Sequence, residues 1–265
     1  METSLSIQRI ASKWEKTKVL KQNDDIVPFI PDTRRYNLQQ LEDMLKEHNV
    51  VFIKPDHGTY GNGVMSVELL HNEENDEKPI QYKFRHGIQT TTFPSLEETH
   101  AVISEKIGNN FFLIQKGITM LTYERRKFDI RILVQKNPQN FWESTGFIGR
   151  VAAPQKIITN YHGGGTTKTI EELLRAHLTP KKFIKLYKEL KMLGVSVGQQ
   201  LNRKFPRLKE IGIDIAIDEQ FRPWILEVNT LPALFPFKQL KDKNIYKKIR
   251  KYAVAYGRYK STSKS

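Results

Sequence analysis

Two neighbouring strand patterns near the end of the chain constrain its fold more than any other feature. In the segment GIDIAID and the residue before it, isoleucine occupies every second position: Ile211, Ile213, Ile215 and Ile217. Because successive side chains of a strand point to opposite faces, the isoleucines form an apolar face and Asp214 lies on the other. The return segment FRPWILEVN carries Glu227 and Asn229 on one face, since they are two positions apart. The sequence therefore predicts an antiparallel β-hairpin with an acidic face.

The register of this hairpin brings the two acids together. A loop at 219–222 pairs Asp218 with Pro223, and counting inward from that pair places Asp214 opposite Glu227. Facing Cβ atoms lie about 5 Å apart, and facing carboxylates are destabilising unless a cation lies between them. Oxygen ligands without His or Cys suit Mg²⁺ or Mn²⁺, so Asp214, Glu227 and Asn229 are candidate metal ligands. The alternative is an exposed sheet face with unrelated acids.

A second pattern joins a lysine to a glycine-rich segment. The apolar run VVFI ends at Lys54, and the segment PDHGTYGNG that follows contains Gly58, Gly61 and Gly63. Glycines let backbone amides approach phosphate oxygens, and a lysine at a strand end supplies a positive charge. The pattern is not a P-loop, because the lysine precedes the glycines. The alternative is a hairpin loop whose glycines only provide positive φ angles.

A third set of polar residues lies between these two patterns. Its members are Asp129 and Arg131 two apart on one strand, Arg150 at the end of the next, and Asn160, His162 and Gly163 to Gly165 in a loop. Arginines fixed on strands bind phosphates or carboxylates in a forked geometry. The alternative is ordinary surface pairing of Asp129 with Arg131, together with a loop histidine.

Composition excludes several classes of protein. The 265 residues include no cysteine, which excludes disulfide scaffolds, thiolate zinc sites, iron–sulfur clusters and cysteine nucleophiles.

Charged residues begin early in the N-terminal segment and no later run approaches about 18 apolar residues, so we expect a soluble, cytoplasmic protein without a secretion signal or membrane span. The net charge of +14 suits nucleic acid, an anionic membrane, or acidic molecules such as nucleotides and polyglutamate-like substrates. Residues 238–265 hold ten of the basic residues and one acid, Asp242.

Periodicity places these patterns on alternating helices and strands. Helices are predicted at 7–20, 37–48, 95–107, 169–178 and 180–205, followed by a basic helix from Lys238. Before the hairpin, strands are predicted at 49–54, 64–70, 81–86, 111–115, 127–136 and 141–152.

Taken in order, these segments resemble the ATP-grasp superfamily, and within it the YheC/YheD-type group named for endospore coat-associated proteins. The resemblance rests on KWE at Lys13, PDT at Pro31, VVFIKP with its glycine loop, FLIQKGI, FDIR, TNYHGGG, GIDIAID and EVNTLP. It implies an α+β fold of two lobes, at 1–115 and 116–237, whose antiparallel sheets enclose a nucleotide. The basic helix and tail at 238–265 follow them.

The resemblance also implies a role for each matching residue. Lys13 and Lys54 would contact the phosphates of ATP, and the loop containing Gly58, Tyr60, Gly61 and Gly63 would close over them. Gln115, Lys116, Gly117 and Ile118 would form the adenine hinge, and Asp214, Glu227 and Asn229 would hold Mg²⁺, or Mn²⁺ in its place. Arg131, Arg150 and Asn160 would face the transferred phosphoryl group or the acceptor.

The implied activity is ligation of a carboxylate to an amine, with ATP, Mg²⁺ and an acyl-phosphate intermediate. Such a reaction needs no protein nucleophile, which agrees with the absence of cysteine. The carboxylate substrate could belong to an acidic peptide. Many members of the superfamily have a further domain before the lobes, whereas only about a dozen residues precede Lys13. We therefore expect that a substrate-binding module is missing or is supplied by a partner protein.

A second departure from the superfamily pattern concerns the acceptor site. After Glu-Val-Asn, related ligases often have a turn of small residues, whereas this chain has TLPALF. Two other functions stay open, the first because the leading domain is missing and the second because the tail is basic. One is an ATP-binding structural or interaction protein of the spore coat with little or no ligase activity. The other is nucleic-acid binding through the basic tail, against which the absence of the usual recognition motifs argues.

Overall fold

The computed structural model describes residues 6–58, 61–70, 80–153 and 165–260. The first of its two sheets consists of β1 (Thr33–Arg35), β2 (Val50–Pro55), β3 (Met65–Leu70), β4 (Gln81–His86), β5 (Gln89–Phe93) and β6 (Phe112–Lys116). The spatial order is β1, β6, β2, β3, β4, β5, and all neighbours are antiparallel. The sequence patterns did not predict β1 or β5, which are short edge strands.

Two amphipathic helices, α2 (Leu38–His48) and α3 (Leu96–Ile107), cover this first sheet. Each begins after a polar N-cap, because the side chains of Asn37 and Ser95 accept hydrogen bonds from backbone amides of the first turn. The core between helices and sheet contains Leu41, Met44, Leu45, Val51, Ile53, Met65, Val67, Phe84, Ile103 and Ile114. Burial of this apolar face holds the lobe together.

The second sheet consists of β7 (Thr122–Tyr123), β8 (Arg126–Lys136), β9 (Trp142–Val151), β10 (Thr166–Lys168), β11 (Glu210–Ile217) and β12 (Pro223–Asn229). Its order is β10, β9, β8, β11, β12, with β7 paired to β8. The described strands are again antiparallel to their neighbours. On one face lie α4 (Ile170–Leu174) and the long helix α5 (Pro180–Lys204), over a core that includes the four isoleucines of β11.

The first helix, α1 (Lys13–Leu20), connects the two lobes. Val19, Leu20 and Ile26 belong to the core of the second sheet, although the sequence assigned residues 1–115 to the first lobe. The helix begins later than the predicted residue 7. The preceding segment is extended instead. It forms a hydrogen bond to the loop after β12, since the backbone amide of Ile10 donates to Thr230 Oγ1 at 2.8 Å.

The opposite face of the second sheet is covered by the C-terminal residues. A short 3₁₀ helix (Phe235–Gln239) precedes α6 (Lys243–Ala255), so the helix begins five residues after the predicted Lys238. A third apolar cluster joins them to the sheet, with members Leu133, Ile148, Leu234, Phe237, Leu240, Ile249 and Ala253. The basic C-terminal segment is therefore packed on the second lobe through its apolar side. In the described ranges, no helix combines the length and apolarity needed to cross a membrane.

A buried glutamate fastens both ends of the described chain to this lobe. Glu210, at the start of β11, is fully buried and accepts from Arg9 Nη2 at 2.9 Å, Arg258 Nη1 at 2.5 Å and Tyr256 Oη at 2.6 Å. Arg9 also donates to the carbonyl oxygen of Thr230. One carboxylate thus connects the N-terminal segment, α6 and the loop after β12.

We predict that Glu210→Ala lowers the free energy of unfolding by about 3 kcal/mol, because it leaves two arginines without their buried partner. Urea denaturation measures the change. The control is Glu68→Ala, which breaks the partly exposed pair of Glu68 with Lys83 and should cost less than about 1 kcal/mol. Equal losses in the two variants would contradict a special role for Glu210.

Candidate active site between the two sheets

Two adjoining pockets lie along the acidic face of the β11–β12 hairpin. The inter-sheet pocket, about 100 Å³, is lined by residues from both sheets, including Lys54 of β2 and Asp129 of β8. The loop pocket, about 400 Å³, is lined mainly by residues 9–11 and 230–237. Gly58, Asp214 and Glu227 line both pockets. The two pockets therefore form one continuous site with the acidic pair at their junction.

The predicted pairing of Asp214 with Glu227 is confirmed by the strand register. The pair from which this register was counted, Asp218 with Pro223, is wrong by one residue. Pro223 pairs with Ile217 instead. The Asp218 side chain instead accepts from the loop amides of Gln220 and Arg222 at 3.0 and 2.9 Å. A β-bulge between Ile215 and Asp214 adds one residue on β12 and restores the predicted pair.

A chain of alternating charges crosses the sheet beside this pair. Arg150 Nε donates to Asp129 Oδ1 at 2.7 Å, and Arg150 Nη2 lies 3.0 Å from Asp214 Oδ2. Arg131 donates to both oxygens of Asp214, with Nη2 to Oδ2 at 3.0 Å. Asp129 is thus paired with Arg150 in a buried position, and the alternative of a surface pair between Asp129 and Arg131 is wrong. The facing carboxylates of Asp214 and Glu227 require positive charge nearby. The guanidinium groups of Arg131 and Arg150 supply part of it.

Burial and charge act in opposite directions in this network. Burial by itself would raise the pKa of Asp214, but Arg131 and Arg150 outweigh it and hold the pKa below its ordinary value. Burial would lower the pKa of Arg150, and Asp129 and Asp214 raise it instead. Asp214 and Arg150 are therefore charged at neutral pH. The network fixes both arginines at the junction of the pockets.

Three lysines converge on the other side of Glu227. Lys13 Nζ lies 3.7 Å from Glu227 Oε1 and donates to the carbonyl oxygen of Gly58 at 3.1 Å. Lys54 Nζ donates to Gln115 Oε1 at 2.6 Å. Burial lowers the pKa of Lys54 to about 8, with Glu227 opposing this effect and Lys13 reinforcing it. Burial likewise lowers the pKa of Lys16 to about 8, with the same two neighbours acting in the same directions. Three lysines are thus gathered around one glutamate, and this concentration of positive charge favours a polyanionic ligand.

Two residues that shape this cluster, Asp56 and Lys16, were not predicted from the sequence. Asp56 is buried and its Oδ1 accepts from the Trp14 amide at 2.7 Å and Ser12 Oγ at 3.0 Å, which fixes the start of α1 against the end of β2. Lys16 lies one helical turn after Lys13 and faces the same site. The spacing of three residues in KWEK was the available signal for Lys16.

The glycine loop and the loop that contains Asn160, His162 and Gly163 to Gly165 are described only in part. Gly58, Gly61 and Gly63 have φ angles of 147°, 74° and 73°. These positive φ angles alone explain why glycine occupies the three positions, as the hairpin-loop alternative proposes. Gly58 also lines both pockets. Tyr60, Asn160, His162, Gly163 and Gly164 lie outside the described residues, so the roles assigned to Tyr60 and Asn160 stay predictions.

The four residues expected to form the adenine hinge have different surroundings. Gln115, Lys116 and Ile118 line the inter-sheet pocket, whose apolar walls also include Phe52, Met120 and Leu226. The Gln115 side chain links Lys54 to Thr33, since its Nε2 donates to Thr33 Oγ1 at 2.9 Å. Gly117 packs against β2, where an added Cβ would lie 2.9 Å from the carbonyl oxygen of Val50.

The donor set at the junction fits a hard divalent cation. Glu227 keeps 28% of its side chain exposed, and the Asn229 amide satisfies its neighbours when its nitrogen faces Glu227 Oε1 and its oxygen faces Arg131 Nη2, each at 3.3 Å. Carboxylate and amide oxygens are ligands that Mg²⁺ and Mn²⁺ accept. Asp214 can join as a ligand only by giving up a bond to a guanidinium group, and the Asn229 oxygen must likewise turn from Arg131.

Elsewhere among the described residues, Asp32, Glu47 and His48 also lie close enough to hold a metal ion. Arg34 Nη2 already occupies their centre, at 2.6 Å from both Asp32 Oδ2 and Glu47 Oε2. We interpret this second cluster as an ion-pair network on the first lobe.

The sequence matches a known protein family over nearly its whole length. A sequence model described as "YheC/D like ATP-grasp" matches residues 4–259. The chain belongs to the YheC/D-like ATP-grasp family. Its two antiparallel sheets with helices are the α+β architecture that the resemblance implied. ATP-grasp domains generally bind ATP together with Mg²⁺ or Mn²⁺.

Two curated relatives come from Bacillus subtilis (strain 168). Endospore coat-associated protein YheD is 22% identical over 257 residues, which is 94% of this chain and 54% of that protein. Endospore coat-associated protein YheC is 26% identical over 226 residues, which is 84% of this chain and 60% of that protein. This YheC/D-like chain thus spans little more than half the length of the relatives it matches.

We predict that two lysine side chains titrate near pH 8 in the folded protein and are neutral above it, because Lys54 and Lys16 lose hydration on burial. NMR of the lysine Cε and Nζ signals against pH measures the midpoints. Lys54→Met removes one of the two low midpoints, whereas the exposed control Lys46→Met keeps both. Midpoints above pH 10 for every lysine would contradict the burial of this cluster.

Proposed function

We propose that this protein joins a carboxylate to an amine at the expense of ATP, with Mg²⁺ and an acyl-phosphate intermediate. The observation that carries the proposal is the position of Asp214 and Glu227 at the junction of two pockets. One pocket has apolar walls and buried lysines, and the other has room for a second substrate. Family membership supports the ligase class, and the individual roles of the residues are our assignment.

The inter-sheet pocket suits a nucleotide. Its apolar walls, Phe52, Ile118, Met120 and Leu226, would contact the adenine ring. The ammonium groups of Lys13, Lys54 and Lys16 would neutralise the phosphate oxygens near the junction. Phosphoryl transfer depends mainly on such positioning and charge neutralisation, with little covalent work for the protein. Glu227 and Asn229 would hold Mg²⁺, which would supply positive charge to neutralise the phosphate oxygens.

The proposed reaction has two steps. A carboxylate oxygen attacks the γ-phosphorus, a P–O bond forms, and the bond to the bridging oxygen breaks so that ADP leaves. The amine nitrogen then attacks the acyl carbon, an amide forms, and phosphate departs with the original carboxylate oxygen while the nitrogen loses a proton to solvent. Arg131 and Arg150 are held in place by Asp214 and Asp129, so they can stabilise the carboxylate and the transferred group without reorganising.

We predict that Glu227→Gln lowers the rate of ADP release by about a hundredfold or more while the protein stays folded, because it removes a charged metal ligand at the junction. A coupled ADP-release assay measures the rate over a panel of carboxylates and amines, with mass spectrometry of the product. The matched control is Glu219→Gln, in the exposed loop of the same hairpin. Wild-type turnover in Glu227→Gln would contradict the metal assignment.

One observation favours a second function, an ATP-binding component of the spore coat without ligase activity. Both oxygens of Asp214 are already bonded to arginines, so the network is complete within the protein. The names of the two relatives also refer to the spore coat. Tight nucleotide binding without ADP release over the whole substrate panel would favour this alternative.

A further inference from the structure

The loop pocket has a different character at its two ends. At the junction it presents the polar groups of Arg131, Arg150, Asp214 and Glu227. Away from the junction its walls are apolar, formed by Ile10, Ile148, Leu231, Pro232, Phe235 and Phe237. A ligand whose carboxylate lies at the junction therefore places the rest of its atoms against apolar side chains.

Two apolar side chains at this pocket are exposed to solvent. Leu231 and Phe235 are 62% and 48% exposed, whereas Ile148 and Phe237 beneath them are buried. Other exposed apolar residues, such as Phe141 and Met192, line none of the described pockets. Exposed apolar surface inside a concave, partly charged pocket is the arrangement expected of a site for an amphiphilic small molecule.

The apolar wall is fixed in position by the strand beneath it and by the N-terminal segment. Pro232 lies directly on Gly212, where an added Cβ would come within 2.8 Å of Pro232 Cβ. Thr230 is buried and its Oγ1 accepts from the Ile10 amide at 2.8 Å. The segment TLPALF, which departs from the small-residue turn of related ligases, thus forms a preformed wall.

The apolar end of the same pocket is unsuited to a second negative charge. Away from the junction, its described cation is Arg9, whereas Lys16 lies beside Lys13 and Glu227. Arg9 is paired with Glu210, and Lys16 Nζ donates to the carbonyl oxygen of Ile10 at 3.1 Å. A further carboxylate would face Leu231 or Phe235 without a partner, and burying an unpaired charge is costly. These contacts argue against the acidic peptide that the sequence had suggested as substrate.

We propose that the carboxylate substrate is a monocarboxylate with an apolar body, and that Leu231 and Phe235 select it. The proposal rests on the proposed function, because it assigns the loop pocket to the carboxylate that is activated there. The carboxylate lies beside Arg131 and Arg150, and the aliphatic or aromatic remainder packs between Leu231, Pro232 and Phe235.

Calorimetric titration of the full chain with octanoate tests the proposal, in the presence of Mg²⁺ and a non-hydrolysable ATP analogue. The matched probe is octanedioate, which has the same length and a second carboxylate, and tetraglutamate represents an acidic peptide. We expect octanoate to bind at least about tenfold more tightly than octanedioate. From butanoate to octanoate, affinity should rise by up to about fourfold per methylene. Equal or tighter binding of octanedioate or tetraglutamate, or no binding of octanoate, would overturn the proposal.

A surface variant tests the selecting residues. Leu231→Asp places a charge on the exposed rim and should weaken octanoate binding at least about tenfold. Phe141→Asp, at an exposed apolar residue away from the pockets, is the control and should leave it unchanged. Unfolding temperature and nucleotide affinity are measured for every variant. Unchanged octanoate affinity in Leu231→Asp would contradict the proposal even if the protein binds ATP.

The two proposals fail in different ways. Nucleotide binding with ADP release driven by a charged acceptor would leave the ligase function in place and refute the apolar substrate. Octanoate binding without nucleotide binding would refute the ligase function and leave the loop pocket as a carboxylate site.

Discussion

The buried ion network of Asp129, Arg150, Asp214 and Arg131 is the interaction on which the site depends. It joins β8, β9 and β11 on one face of the second sheet, and each charge has an opposite charge beside it. Burying any one of these groups alone would be strongly unfavourable, so the network persists only with all four in place. It therefore fixes the junction of the two pockets before any ligand arrives.

The second constraint is the contact between the lobes through α1. Asp56 at the end of β2 binds the first turn of α1, whose last turn packs into the core of the second sheet. This arrangement brings Lys13 and Lys16 of α1 beside Lys54 of β2, with Glu227 between them. Burial, reinforced by the charge of Lys13, lowers the pKa values of Lys16 and Lys54. A bound polyanion would stabilise the charged form of these lysines.

Local pattern was sufficient to predict most helices and strands, and the pairing of Asp214 with Glu227. The alternation in GIDIAID and EVN specifies faces directly, and the capping residues Asn37, Ser95 and Thr179 mark helix starts. The bulge at Leu226 could not be predicted, because the bonds of the Asp218 side chain decide the loop. Contacts between residues distant in sequence could not be predicted either. Examples are Arg9 with Glu210, Asp56 with α1, and Asp129 with Arg150 instead of Arg131. Such pairings depend on the packing of whole elements.

The measurement that tests this account most directly is the position of Mn²⁺ in crystals grown with Mn²⁺ and a non-hydrolysable ATP analogue. Anomalous scattering locates the metal without any assumption about the second substrate. The account predicts a peak at the junction of the two pockets, with a Glu227 carboxylate oxygen at a distance of about 2.0–2.6 Å. A metal bound instead at Asp32, Glu47 and His48, or a nucleotide outside the inter-sheet pocket, would contradict it.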